Sequence, residues 1–143
     1  MECTIRWLGE ETMSFVAETG SGHSFVMDTA LQSGGRNLGP RPMESLLSGA
    51  IACTAYDVVS HLKENSQDVW SFKVGVTAER SEENPKVFTK IHIEFIIFGN
   101  AIDENIVTKA IELSKTMYGS GYKMLSLTAN ITESFEILKT IKK

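Results

Sequence analysis

The chain has only two cysteines, three histidines and three prolines among 143 residues, and no long apolar run. Two thiols, Cys3 and Cys53, are too few to staple a small secreted domain, so free cysteines in a reducing compartment are expected. No segment reaches the roughly 18 charge-free apolar residues that a bilayer span requires. The opening Met1-Glu2-Cys3-Thr4-Ile5-Arg6-Trp7 lacks the apolar core of a secretory leader. The expectation is a cytoplasmic protein with no membrane partner. Basic charge is not in excess either: 14 Lys and Arg face 18 Asp and Glu, a balance that speaks against a phosphate-backbone partner and hence against nucleic acid. The histidines form no ligand set. His92-x-Glu94 puts two donors on one strand face without a third, so neither metal nor cofactor is expected. The tail from Lys139 to Lys143 reads as a solvated terminus.

What is present fits one domain spanning residues 1–143, with 42% apolar and 22% charged residues. Residues 3–8, 12–18 and 23–28 read as three short strands, separated by Gly9-Glu10-Glu11 and by Thr19-Gly20-Ser21-Gly22. Ser33-Gly34-Gly35-Arg36-Asn37-Leu38-Gly39-Pro40 lacks the lysine and hydroxyl of a phosphate-binding loop and reads as a flexible linker. A helix is expected from Pro42 to about Lys63, then strands from Trp70 to Arg80 and Val87 to Phe98 around a turn at Ser81–Pro85. Asn100 to Met117 carries Ile102, Ile106, Ala110, Leu113 and Met117 at helical spacing, Gly119-Ser120-Gly121 breaks it, and Leu125 to Leu138 reads as a last strand. This order is α+β.

The helix from Pro42 concentrates the chemistry. Proline suits its first position and Glu44 its positive end. Ser48, Gly49, Ala50, Ala52 and Ala55 would let another backbone approach, and a helix apolar all round belongs in a core or between subunits, so Cys53 is expected to be buried. Asp57 lies one turn beyond Cys53, with Tyr56 and Gly49 also beside it. An ionised Asp57 opposes thiolate formation, Tyr56 could donate a hydrogen bond, and a reactive thiol here needs a cation. Arg41 is the preferred candidate, ahead of Arg36, Arg6 and Arg80. Glu44, about 13–14 Å back along the helix and about 180° around it, cannot touch Cys53 of its own helix. It either serves the helix dipole or meets the thiol from a second copy. Cys3 reads as a bystander, and His61 with Ser60 as part of a solvated helix end.

Pro42-x-Glu44-x(8)-Cys53-x-x-x-Asp57, together with Glu79-Arg80-Ser81-Glu82-Glu83-Asn84-Pro85 and Thr89-Lys90-Ile91, resembles the OsmC/Ohr family of small thiol proteins over residues 3–138. The resemblance implies an OsmC-like fold, two sheets wrapped around a buried central helix in an intertwined homodimer. It also implies reduction of organic hydroperoxides by Cys53, with Glu44 and Arg41 assisting. The family's resolving cysteine would stand in Met117–Gly121, where Gly119 is found instead. Its glutamate would stand at Met43, and its arginine in the second or third strand, which has none. The implied reaction is that of a one-cysteine, peroxiredoxin-type enzyme of the oxidative stress response, re-reduced by an external thiol. Two alternatives stay open: a non-catalytic dimer holding an apolar small molecule, and a redox sensor acting through Cys53.

Overall fold

Alternating apolar residues give the second half its architecture. In the computed structural model, which describes residues 1–139, Phe88–Asn100 (β5) buries Ile91, Ile93, Phe95 and Ile97 on one face and exposes Lys90, His92 and Glu94 on the other. Asp68–Arg80 (the fourth strand, β4) pairs with it antiparallel through the Ser81–Pro85 turn. Asn130–Leu138 (β6) pairs on its other edge in parallel, Ile91 opposite Ile131 and Phe95 opposite Phe135. Parallel pairing needs a crossover. It runs through Glu104–Leu113 (α2), a π-helical turn at Ser114–Tyr118 and the short helix Ser120–Leu125 (α3).

The chain divides into two units, Met1–Ser48 and the residues from Gly49 onward. The first holds Cys3–Trp7 (β1), Phe15–Thr19 (β2) and Ser24–Met27 (β3) in an antiparallel sheet of order β1-β2-β3. The second holds the sheet β4-β5-β6, α2 and α3. The helix Pro42–Glu64 (α1) begins in the first unit and continues into the second, where Ile51, Thr54, Val58 and Leu62 are its buried stripe. No helix among the described residues is long and apolar enough to cross a membrane.

Four expectations are corrected. The 33–40 loop has a defined path rather than that of a loose linker. The Asp28 carboxylate, fully buried, accepts from the backbone N–H groups of Thr29 (2.7 Å), Leu38 (2.9 Å) and Arg36 (3.0 Å). The second helix begins at Glu104, capped by Asp103 accepting from the Asn105 N–H, and its buried positions are Val107, Ala110 and Ile111. The wider π turn then takes Met117 off that stripe, leaving it 66% exposed. The last strand starts at Asn130 rather than Leu125, because Ser120–Leu125 is helical. Finally, Cys53 is exposed in the single chain. The tail beyond Lys139 lies outside the described residues.

Candidate functional site

Cys53 stands on α1 between buried Ile51 and Thr54, turned away from the Ile51–Val58–Leu62 stripe. It opens into a cleft of about 390 Å³ lined by Ala52, Cys53, Tyr56, Asp57, Tyr118 and Ser120. Two of these walls come from the segment after α2. Ser114, fully buried at the head of the π turn, donates its hydroxyl to Asp57 Oδ2 at 3.0 Å, and its carbonyl accepts from the Gly119 N–H at 2.7 Å. One serine thereby fixes the carboxylate one turn from the thiol and the end of the turn that carries Tyr118. Asp57 is thus spoken for by a hydroxyl.

Gly119 closes that turn, and a Cβ built there would run into the Ser114 carbonyl oxygen. The position where the resemblance leads one to expect a resolving cysteine has no room for a side chain on this backbone. Gly121, two residues on, brings α3 against α1. Its missing Cβ would lie 2.6 Å from the Ala50 Cα, so the close approach foreseen from α1's small residues is made by the chain's own third helix. Gly49, by contrast, is exposed, with open space where its Cβ would be.

The other candidate residues have local partners. The Arg41 N–H donates to Glu44 Oε2 at 2.9 Å, and the Arg41 guanidinium donates to Asn37 Oδ1 at 2.8 Å. Glu44 thus reaches back to the helix start in the manner of a capping box. Arg6 pairs with Glu18 at 3.7 Å, Arg36 with Glu11 at 3.5 Å, and Arg80 Nε donates to the Lys86 carbonyl. His92 bridges the hydroxyls of Thr132 (2.8 Å) and Ser134 (3.0 Å) on the exposed sheet face. Cys3 is exposed on β1. Among the described residues no group of three potential ligands converges on a metal site.

Sequence reasoning missed Ser114, Tyr118 and Ser120, and with them two lysines. A second cleft of about 210 Å³ shares Tyr118 and Ser120 with the first and includes Lys115 and Lys123. Lys115 is committed to Glu133 at 3.1 Å, and Glu133 also accepts from the Tyr122 hydroxyl at 2.6 Å. Burial, then the Glu133 carboxylate, pushes the Tyr122 phenol upward and keeps it a donor. A signal for Glu133 was available: Ile131-x-Glu133-x-Phe135-x-Ile137 places it on the inward side of β6, where a carboxylate needs partners. For Tyr118 and Ser120 the one signal was the resemblance, which sets Met117–Gly121 near the thiol, while the placing of their side chains depends on the unforeseen π turn and α3.

Comparison with known proteins bears on the family and the fold. Residues 34–134 match the family described as OsmC-like protein. Protein YhfA of Escherichia coli strain K12 is 39% identical over 138 residues, covering 96% of this chain and 98% of its own. A hypothetical protein from Aquifex aeolicus VF5 superposes with a TM-score of 0.83 at 26% identity, covering 98% of this chain and 97% of its own. OhrB of Bacillus subtilis, an organic hydroperoxide resistance protein, shares the fold at a TM-score of 0.61 and 14% identity, covering 94% of this chain and 96% of its own. With a helix-borne thiol in an open cleft, a sheet closed by a parallel last strand and relatives of matching length, the chain belongs to the OsmC-like family.

Proposed function

We propose that the protein is a one-cysteine thiol peroxidase acting on organic hydroperoxides in the cytoplasm as a homodimer. The observation that carries this reading is the exposure of Cys53 in a cleft walled by two tyrosines, wide enough for a small organic molecule. The Cys53 thiolate attacks the distal oxygen of R–O–OH. An S–O bond forms, the O–O bond breaks, and the alkoxide takes a proton and leaves as the alcohol, with a sulfenic acid on Cys53. The site gives that sulfenic acid no internal partner. Cys53 is the only cysteine in its unit, and the turn at Gly119 has no space for another. An external thiol therefore completes the cycle. Arg41 and Glu44 enter this reading only from a second copy of the chain.

The test is consumption of an alkyl hydroperoxide in the presence of a thiol, followed by mass spectrometry of the protein. Wild type and Cys3→Ser are expected to turn over and to carry oxygen adducts on Cys53, and Cys53→Ser to lose all consumption. Equal rates for Cys53→Ser and wild type would end the proposal. The exposed rings of Tyr56 and Tyr118 support a second reading, a dimer that holds an apolar ligand. In that case Cys53→Ser keeps its affinity for the ligand and wild type shows no turnover.

A further inference from the structure

A sulfenic acid with no cysteine beside it has to last until a reductant arrives. Meanwhile it can meet a second hydroperoxide, and the sulfinic acid that results is not returned by a thiol. That second oxidation runs through the sulfenate anion, because the neutral S–OH group is the poorer nucleophile. Asp57 is placed to keep the proton on that oxygen. It stands four residues after Cys53 on α1, so the two Cβ atoms lie about 5–6 Å apart on one face. Helical side chains lean toward the N-terminus, which carries the Asp57 carboxylate back over the turn that bears Cys53. Both residues line the same cleft, and Asp57 is the only carboxylate among the residues lining it. Ser114, fully buried, donates to Oδ2 at 3.0 Å and holds the carboxylate from outside the helix, which leaves the Oδ1 lone pairs for another donor. A thiol is a weak donor, whereas an S–OH group reaches one bond further and donates as a hydroxyl does.

We infer that Asp57, held by Ser114, accepts the hydrogen bond of the Cys53 sulfenic acid and thereby protects it from a second oxidation. This rests on the proposed thiol chemistry and names how its intermediate survives. In the step that Asp57 opposes, Cys53–S–OH and R–O–OH give Cys53–SO2H and R–OH. A second S–O bond forms, the O–O bond breaks, and the alkoxide takes the proton. The reductive step uses the same sulfur as an electrophile: an external thiol R′SH gives Cys53–S–S–R′ and water. It needs the neutral S–OH form, so the hydrogen bond that slows overoxidation leaves reduction open. Asp57 opposes the Cys53 thiolate too, but there only through its charge, since a thiolate has no proton to donate. The carboxylate thus acts more strongly on the second oxidation than on the first.

The experiment reads the two oxidations separately. Full-length Cys3→Ser protein is mixed with excess cumene hydroperoxide in the absence of thiol, and samples are quenched into dimedone at successive times. Mass spectrometry then counts the Cys53 thiol, the trapped sulfenic acid and the sulfinic acid, which gives a rate for each step. Asp57→Asn is expected to raise the second rate about five- to tenfold more than the first, the difference between a charged and a neutral acceptor. Ser114→Ala keeps the backbone bond to the Gly119 N–H but frees the carboxylate. It should move the ratio of the two rates in the same direction by about two- to threefold, and it carries the test should Asp57→Asn lose its fold. An unchanged second rate, or both rates raised by one common factor, would overturn the inference while the peroxidase reading stands. No oxygen on Cys53 in the parent protein would defeat that reading, and the inference with it.

Discussion

Asp28 has no exposed surface, yet it is a charged residue in a small three-stranded unit. It is tolerated because the backbone comes to it. The Leu38 N–H, helped by those of Thr29 and Arg36, holds its carboxyl at about 2 against the upward pull of burial, below the ordinary 3.8. The sign follows directly. A carboxyl depressed by folding stabilises the native state above its unfolded value, and that contribution disappears as pH falls from about 4 toward about 2. Asp28→Asn should therefore be less stable than wild type at neutral pH, and its urea midpoint should change less across that acid window. Urea titrations at several acidic pH values, followed by circular dichroism, check both. The sequence announced Asp28 only as the last residue of a strand, because its donors lie one, eight and ten residues on. Glu133 was more legible, since strand alternation alone places it inward.

Among the elements, α1 was the most legible, from Pro42 to within a residue of its end, because proline, a first-turn carboxylate and a long apolar run agree. Glu44→Ala removes the reciprocal bond to the Arg41 N–H and should cost about 0.5–1 kcal/mol, seen as a lower denaturant midpoint. Glu44→Gln keeps an acceptor there and should recover most of the loss. The strands β4 and β5 were legible for the same kind of reason: one face of β5 is apolar at every second position. The α3 helix was not. Gly119, Ser120 and Gly121 look like breakers, and local propensity favours a loop, but the fit of Gly121 against Ala50 decides otherwise. Gly121→Val would drive the new side chain into the Ala50 backbone. A loss of about 1–3 kcal/mol is expected, with a matching fall in the thermal midpoint.

Taken as one molecule, the chain leaves much apolar surface uncovered. Leu31, Leu38 and Leu46 are exposed in the first unit, and Tyr56, Met124 and Leu127 in the second. The homodimer proposed above would give some of these side chains a partner. The proposed homodimer predicts a light-scattering mass of about twice 15.8 kDa, and a thermal midpoint that rises with protein concentration. A mass of one chain at micromolar concentration would refute it. The fold class was legible because each strand and the long helix announce themselves locally. The Cys53 cleft was only half legible, since Cys53, Tyr56 and Asp57 are neighbours on one helix, while Tyr118 and Ser120 arrive from over sixty positions later. The parallel pairing of β6 against β5 carries a further consequence, for the chain as it is made. Synthesis delivers the Ile91–Ile97 strand first, zipped on one side by its hairpin partner β4. Its other side waits open until α2, the π turn, α3 and finally residues 130–138 have emerged. For that interval the nascent chain displays its stickiest edge with nothing to cap it. The strand made last is thus the one that closes the sheet.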